Sequence, residues 1–261
     1  MFIVTINTWK CEGDYDRRIS NLSRHLSVLE PDLLFLQEVF VAPEIDVDTG
    51  RRLSYALPGH HYFPVAARYK TRQYQGRDVA SVSGLSLFAR GEMLHSSVIQ
   101  LPGLPEDPDR VAQLVRMKIG DSVLQVVNLH LTHIRNQNAH KVKQLESILA
   151  HLEPGLPTII GGDFNARPES EVMDFVRSSF DELVVCPEPT GPGGNVIDYI
   201  AWRDLDHRGF QCEPLFDGKS TPRVSDHLGV GVHLDLIDEQ SRGRSGRATG
   251  TDDAGSTYRF A

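Results

Sequence analysis

The chain has 261 residues, of which 40% are hydrophobic, and this is enough apolar material to bury the core of one large α/β domain. Its 27 Lys and Arg residues against 35 Asp and Glu residues give a formal net charge of −8, which excludes a general basic coat for wrapping nucleic acid. A polyanionic ligand would therefore be bound by a local basic patch or through bound cations.

The first part of the chain predicts strands around one helix. Residues Phe2 to Ile6 form a β-branched strand, and Asp14 to Leu29 keep the apolar spacing of an amphipathic helix that Pro31 ends. The nearly continuous apolar run "DLLFLQEV" at 32–39 is typical of a strand covered on both faces. Residues 84–90, "GLSLFAR", indicate another strand.

The rest of the chain continues with strands and helices. Residues 111–131 predict a hairpin whose strands join at Gly120 and Asp121, two residues suited to a tight turn. Further along the chain we expect a helix over 138–152, a strand over 157–160, a helix over 170–177, and strands over 196–202 and 228–234. Strands joined by helices, together with a hairpin, predict an α/β or α+β fold with mixed sheets.

The end of the chain and its cysteines bear on domain organisation and compartment. Residues 237–261 are rich in Gly, Ser and charge, so we expect one folded domain over 1–236 followed by a disordered polar tail. The three cysteines have neither the CxxC spacing of a zinc site nor the density of a disulfide scaffold. The apolar run after Met1 is too short for a signal peptide or a membrane span. We therefore expect a cytoplasmic monomer that does not bind membranes.

Several apolar strands end in, or lie next to, polar residues of similar chemistry. These residues are Asn7, Glu38, His130, Asp163 with Asn165, Asp198, and Asp226 with His227. Because side chains alternate along a strand, Leu124, Val126 and His130 share one face, which changes from apolar to polar at its end. Taken singly, such residues are more often turn formers, caps or half-buried polar groups. Together they predict a cluster of carboxylate, amide and imidazole groups at one edge of the sheets, where ligand crevices occur.

These motifs, in this order, resemble the endonuclease/exonuclease/phosphatase superfamily. They are "VTINTW", "LFLQEV", "VVNLHL", "GGDFNARP", "VIDYI" and "SDHLGV". The resemblance covers Phe2 to about Leu234 and makes residues 1–236 the catalytic domain. It implies a four-layer sandwich of two mixed β-sheets flanked by helices, with the site at one end, and a metal-dependent phosphoester hydrolase.

The resemblance implies a metal site around Glu38. Glu38 would be the principal ligand, Asn7 would support it or contact the phosphate, and Asp226 would complete the metal environment. Oxygen and imidazole donors without a thiolate suit Mg²⁺ or Mn²⁺ better than structural zinc.

The resemblance also implies catalytic roles. Asp163 would orient and deprotonate the attacking water, and Asn165 would donate hydrogen bonds to a phosphate oxygen. His130 and His227 would flank the transition state, and Asp198 would hold the tautomer of His227 by accepting its other ring N–H.

The segment 66–77, "AARYKTRQYQGR", is the most informative about the substrate. Its cations alternate with rings: Arg68, Lys70, Arg72 and Arg77 with Tyr69 and Tyr74. Cations for phosphates and rings for base stacking suit single-stranded nucleic acid, whereas the plain alternative is a solvated loop between strands. We favour a phosphodiesterase or nuclease acting on nucleic acid or a nucleotide-like phosphate, with Arg68 and Tyr69 contacting the substrate. Residues 104–113, "LPEDPDRVAQ", either border the substrate groove or only connect strands, and we favour a connection.

Other functions compete with this interpretation. The same motifs fit a phosphatase or phosphodiesterase acting on an inositol phosphate or a phospholipid headgroup, or an inactive family member that serves as a binding scaffold. Unrelated classes lack their motifs. "DGKS" at 217–220 has Glu213 where the first glycine of a phosphate-binding loop belongs, and neither GxSxG nor a GxGxxG after the first strand is present.

Overall fold

Two mixed β-sheets form the centre of the molecule. The computed structural model describes residues 1–120, 122–219 and 221–237, so the predicted tail lies outside the described residues except for Ile237. The first sheet contains β1 (Phe2–Asn7), β2 (Leu33–Ala42), β3 (Val47–Asp48), β4 (His61–Tyr74), β5 (Arg77–Ala89), β12 (His207–Leu215) and β13 (Gly229–Leu236). The second contains β6 (Glu92–Gln100), β7 (Val111–Ile119), β8 (Ser122–His130), β9 (Thr158–Asp163), β10 (Glu182–Val184) and β11 (Asp198–Arg203).

The strand order places one parallel pair in the middle of each sheet. The first sheet runs β12-β13-β1-β2-β5-β4, with β3 paired to β2, and the second runs β10-β11-β9-β8-β7-β6. The pairs β1 with β2 and β8 with β9 are parallel, and the other pairs are antiparallel. β1, β8 and β9 carry site residues at their carboxyl ends, as expected for an α/β crevice.

Helices cover the outer face of each sheet. They are α1 (Tyr15–Leu29), α2 (Thr49–Ser54), α3 (Asn138–Leu149) and α4 (Glu171–Ser179), with a short 3₁₀ turn at Pro43–Ile45. One apolar cluster packs α1 and α2 on the first sheet, a second packs α3 and α4 on the second sheet, and a third fills the space between the sheets. The predicted four-layer sandwich is therefore confirmed. None of the helices in the described ranges is long and apolar enough to cross a membrane.

The hairpin of β4 and β5 replaces the loop that we considered for residues 66–77. Its strands pair from His61 with Ala89 to Tyr74 with Arg77. Tyr74 is buried, and its ring lies 5.6 Å from that of Tyr15 and so belongs to the core. The edge strands β6 and β12 were also not predicted, because few of their side chains are buried and the apolar alternation is therefore weak.

Gly161 and Gly162 allow β9 to pack closely against its neighbours. A Cβ on Gly161 would lie 2.7 Å from the Phe35 ring of the facing sheet. A Cβ on Gly162 would lie 2.0 Å from the carbonyl oxygen of Leu129 in the neighbouring strand, and Gly162 has a φ of +149°. Both glycines are therefore required by the sandwich core beneath the site.

We expect Gly162→Ala to lower the free energy of unfolding by about 2–4 kcal/mol, because it adds backbone strain and a contact with rigid backbone. Urea unfolding measures the loss. Gly76→Ala is the matched control, since Gly76 also has a positive φ (+77°) but a Cβ there meets nothing within 4 Å. An equal fall in the free energy of unfolding for both variants would show that backbone strain alone, and not the close approach of β8, explains the effect of Gly162→Ala.

Candidate active site

The predicted strand-end residues meet at one end of the sandwich. Asn7 ends β1, His130 ends β8, Asp163 ends β9, Asp198 begins β11, and Asp226 and His227 lie just before β13. Register places His130 beside Asp163 and Asp163 beside Asp198 in the second sheet. The first sheet brings Asn7 against the same Asp163 carboxylate.

Glu38 lies at a bulge inside β2 and does not end the strand as predicted. The register of β2 with β5 shifts between Leu36 and Val39, and Glu38 has a φ of 53°. A bulge redirects a side chain from its regular position in the sheet. Glu38 consequently lines a cleft together with His130, and its Oε2 lies 2.7 Å from Lys10 Nζ.

Asp163 is the centre of the hydrogen-bond network. Its Oδ2 accepts a bond from Asn7 Nδ2 at 3.0 Å and lies 3.4 Å from His130 Nε2. Its Oδ1 accepts the backbone N–H of Asn165 at 2.9 Å, and Asn165 lies in the left-handed region at φ 49°. The Asn165 side chain donates to the Leu131 carbonyl at 3.0 Å. Asp163 is therefore held in one orientation by neighbours from both sheets.

His227 forms a bonded pair with Asp198. Its Nδ1 lies 2.9 Å from Asp198 Oδ2, and its Nε2 lies 3.9 Å from Asp163 Oδ2, so the ring stands between the two carboxylates. Burial alone would lower the pKa of His227, but the charge and hydrogen bond of Asp198 raise it to about 10. His227 is thus cationic at neutral pH.

The other buried groups of the site have pKa values shifted in directions that suit acid–base chemistry. Burial, followed by the positive charge of Arg110, holds the pKa of His130 well below its usual range, so this imidazole is neutral. Burial and then the Asp198 carboxylate raise the pKa of Asp163. A carboxylate with a raised pKa is a better proton acceptor than one in water.

Arg68 reaches the site as predicted, whereas Tyr69 does not. Arg68 lines the cleft with Glu38 and His130. Tyr69 follows it on the strand, lies on the opposite face by alternation, and is 73% exposed. The structure therefore brings together all the predicted site residues except Tyr69.

The segment 104–113 borders this cleft, so our preference for a mere connection was wrong. Asp107 is fully buried, and its carboxylate lies 2.9 Å from Arg68 NH2 and 2.7 Å from Arg110 Nε. Arg110 also donates to the His130 carbonyl at 3.2 Å. The segment thus fixes Arg68 and the backbone of His130, because a buried carboxylate needs cationic partners.

The family model described as "Endonuclease/Exonuclease/phosphatase family" matches residues 4–227, a range that holds every site residue described above. The chain belongs to this family. Members of the family are phosphoric ester hydrolases that depend on divalent metal ions, and this chain is such a hydrolase.

Two relatives of the family match by sequence. Protein angel of Drosophila melanogaster is 25% identical over 251 residues, which cover 83% of this chain and 67% of that protein. The 5'-tyrosyl-DNA phosphodiesterase of Caenorhabditis briggsae is 23% identical over 195 residues, which cover 69% of this chain and 49% of the nematode protein. The chain therefore spans about half the length of the nematode protein.

Solved structures of the family share the fold. The endonuclease/exonuclease/phosphatase of Beutenbergia cavernae superposes with a TM-score of 0.72 at 19% identity, over 90% of this chain and 71% of that chain. The human Nocturnin catalytic domain with a bound sulfate anion superposes with a TM-score of 0.69 at 20% identity, over 90% and 93% of the two chains.

The residues around Glu38 fit the divalent ion on which the family depends. Glu38 and Asp226 offer carboxylate oxygens, the donors that Mg²⁺ and Mn²⁺ prefer. Burial and then the nearby Glu38 carboxylate raise the pKa of Asp226, although His227 opposes this shift. The Lys10 ammonium at 2.7 Å from Glu38 shows that this position attracts positive charge.

A second group of donor atoms comes from Asp163, Asp198 and His227, which lie within 4.8 Å of one another. Here each His227 nitrogen already faces a carboxylate, and the Nδ1 bond to Asp198 is 2.9 Å long. The hydrogen-bonded chain itself explains this arrangement, so the carboxylates near Lys10 fit a metal ion better.

Several supporting residues were not predicted from the sequence. Ser225 Oγ donates to the Asn7 carbonyl at 2.6 Å and accepts the His227 N–H at 3.2 Å. Arg18, only 7% exposed, donates to the carbonyls of Thr8 at 3.0 Å and Val224 at 2.8 Å. Ser225 could have been found, because it belongs to the motif "SDHLGV". Arg18 could not, because the helical pattern around it predicts only an amphipathic helix. Both residues tie together loops that carry site residues.

Proposed function

We propose that this protein is a phosphodiesterase that hydrolyses nucleic acid or a nucleotide-like phosphate with Mg²⁺ or Mn²⁺. The observation that carries the proposal is the convergence of Asn7, His130 and His227 on one oxygen of Asp163, at 3.0, 3.4 and 3.9 Å. A buried carboxylate held by neighbours on several sides is preorganised to orient one water molecule for attack.

Asp163 accepts the proton of the attacking water. Its raised pKa suits this role, and its hydrogen bonds from Asn7 and the Asn165 backbone fix the carboxylate. One proton of the Asn165 amide is used by the Leu131 carbonyl, which leaves the other to donate to a phosphate oxygen. Asn7 has two roles in this proposal, since it donates a hydrogen bond to Asp163 and supports the metal site.

The two histidines stabilise the negative charge that develops on the phosphate oxygens in the transition state. His227 supplies a positive charge, since Asp198 keeps it protonated, and neutral His130 supplies a hydrogen bond. Asp198 also fixes the orientation of the His227 ring through Nδ1, so that Nε2 points toward Asp163. Arg68 contributes a second cation at the edge of the cleft.

Glu38 and Asp226, with Asn7 in support, would hold the divalent ion, which would neutralise the charge of the phosphate and polarise its ester bond. Lys10, whose ammonium lies 2.7 Å from Glu38 Oε2, holds this carboxylate in place, and its mobile point charge is a further group that can contact the phosphate.

Relatives support a nucleic-acid substrate. The C. briggsae protein is by its name a 5'-tyrosyl-DNA phosphodiesterase, which acts on an ester of DNA. Arg68 at the cleft is consistent with an anionic polymer that continues beyond the scissile phosphate.

A substrate panel tests the proposal. Single- and double-stranded DNA, RNA, a phosphotyrosyl-DNA end, an inositol phosphate and sphingomyelin are incubated with Mg²⁺ or Mn²⁺, with bis-p-nitrophenyl phosphate as a minimal diester. We expect turnover of the diester and of at least one nucleic acid. Preferential hydrolysis of the inositol phosphate or sphingomyelin would refute the proposed substrate class.

Metal binding gives a prediction for Glu38. We expect Mg²⁺ or Mn²⁺ at about 100 times its dissociation constant to stabilise the protein by about 2.7 kcal/mol, and Glu38→Gln to abolish most of this gain, because the variant lacks the main anionic ligand. The rise in Tm on adding the ion, and its reversal by a chelator, measure the effect. Glu44→Gln is the control, since Glu44 is exposed on the short 3₁₀ turn. An equal rise in Tm for Glu38→Gln and wild type would place the metal elsewhere.

A further inference from the structure

A second groove lies beside the catalytic cleft, and we call it the cationic groove. Its lining includes Arg135, Lys141, Asn165, Arg167 and residues of the glycine-rich loop 191–195. Asn165 is common to the groove and the active site, because its N–H holds Asp163. The groove and the active site are therefore neighbours at Asn165.

The lining of the groove carries an excess of positive charge. Its lining includes Arg135, Lys141 and Arg167 but no Asp or Glu among the residues that the structure describes. Lys141 is 4% exposed, and its ammonium donates to the Asn165 carbonyl at 2.6 Å. The Asp163 carboxylate attracts this ammonium but forms no ion pair with it within 4 Å among the described residues, so an anion supplied from outside is favoured at this position.

Two helices also begin at this groove. Asn138 is the first residue of α3 and Ser170 precedes α4, and both line the groove. α3 has no acidic residue in its first turn, and its N-cap Gln137 makes no side-chain capping bond. The free N–H groups and the positive end of the dipole of α3 therefore add to the attraction for anions.

The chemistry of the lining selects phosphates over bases. No Phe, Tyr or Trp lines the groove among the described residues, and the ring in its lining is the imidazole of His133, whose Nδ1 lies 2.8 Å from Arg110. Arginines, a lysine and amides are the groups that contact a phosphate backbone without reading its sequence.

We propose that the cationic groove binds the phosphates that flank the scissile bond of a single nucleic-acid strand. This rests on the proposed function for the location of the scissile phosphate, but the groove's affinity for the strand does not depend on hydrolysis. Arg135 and Arg167, which are exposed, contact the flanking phosphates, and the buried Lys141 adds a positive charge. Binding is therefore salt-dependent and nearly indifferent to base sequence.

The first experiment measures binding. Fluorescence anisotropy follows a labelled oligothymidylate about 12 nucleotides long, in the presence of chelator so that it stays intact. We expect Arg135→Ala and Arg167→Ala each to weaken binding about tenfold, and to reduce the slope of log affinity against log salt by roughly 0.7 for each phosphate that the variant no longer binds. Arg24→Ala is the matched control on the exposed face of α1 and should leave affinity and slope unchanged.

The second experiment separates this inference from the proposed function. For each variant, kcat/KM for the oligonucleotide is divided by kcat/KM for bis-p-nitrophenyl phosphate, and we expect the ratio to fall about tenfold in Arg135→Ala and Arg167→Ala. If wild type hydrolyses neither substrate, the proposed function fails, while the anisotropy result still decides the groove. If both substrates are hydrolysed and neither affinity nor ratio changes in the two variants, the groove does not bind the strand.

Discussion

Asp163→Asn is expected to lower kcat by about 10²–10⁴-fold, because an amide cannot take the proton of the attacking water. KM should change little, because the substitution alters the group that acts on the attacking water. The amide oxygen at position 163 can accept from Asn7 Nδ2 or from the Asn165 N–H but not from both, since these donors contact different oxygens of Asp163. The Tm of the variant should therefore stay close to that of wild type, because the loss of one bond offsets the gain from replacing a buried carboxylate with a raised pKa by a neutral group. Hydrolysis of bis-p-nitrophenyl phosphate with Mg²⁺ or Mn²⁺ measures the loss.

Asp174→Asn provides the control for this change. Asp174 lies on α4, is 71% exposed and, within the described part of the chain, forms an ion pair only with Arg177, so removing its charge should leave kcat within twofold of wild type. A wild-type rate for Asp163→Asn would assign the base to another residue of the site. A low rate together with a large fall in Tm would instead indicate that the substitution disrupts the fold.

Asp107→Asn is expected to lower the free energy of unfolding by about 3–5 kcal/mol at pH 7, because it leaves the buried Arg110 guanidinium without its charged partner. Asp107 also bonds to Thr132 Oγ1 at 2.7 Å and to Arg68, so the loss spreads to the edge of the cleft. Urea unfolding measures the change. The double variant with Arg110→Gln should recover part of the loss, because it also removes the unpaired charge.

The same carboxylate predicts a pH dependence. Burial alone would raise the pKa of Asp107, but His133, Arg110 and Thr132 hold it well below its usual range. A group with a lowered pKa in the folded state contributes its stability above the unfolded value of about 3.9 and loses it as the pH falls below that value. The difference between wild type and Asp107→Asn should thus be constant from pH 7 to about pH 5 and narrow at lower pH. A constant difference down to pH 3, with both proteins still folded, would contradict this linkage.

The central strands and their polar ends could be predicted because each is marked by a pattern within a short stretch of sequence. Apolar runs mark β1, β2, β8 and β9, and alternation along β8 predicts that His130 shares a face with Leu124 and Val126, which pack between the sheets. The site follows from these ends, since parallel strands in the middle of each sheet finish at the same edge.

What could not be predicted depends on contacts between distant parts of the chain. Lys10 and Glu38 meet across 28 positions only because β2 bulges, and the bulge leaves no mark in "LFLQEV". Asp107 is an ordinary proline-flanked loop residue in the sequence, and its burial depends on Arg68 from another sheet. Tyr74 was expected to stack on a base because its neighbours are basic, yet it faces α1 in the core.

The two sheets contribute different halves of the site, so the activity depends on how the sheets pack against each other. Asn7 and Glu38 belong to the first sheet and Asp163 to the second, and Gly161 fits against Phe35 just below them. The position of the metal ligands relative to the Asp163 base therefore depends on how the two sheets pack together. A few side chains between the sheets determine this packing. A small rotation between the sheets would separate the two halves while leaving each sheet's own hydrogen bonds intact. The catalytic rate should then respond to this packing more sensitively than the circular dichroism signal of the strands does. On heating, activity should be lost at a lower temperature than the β-sheet signal.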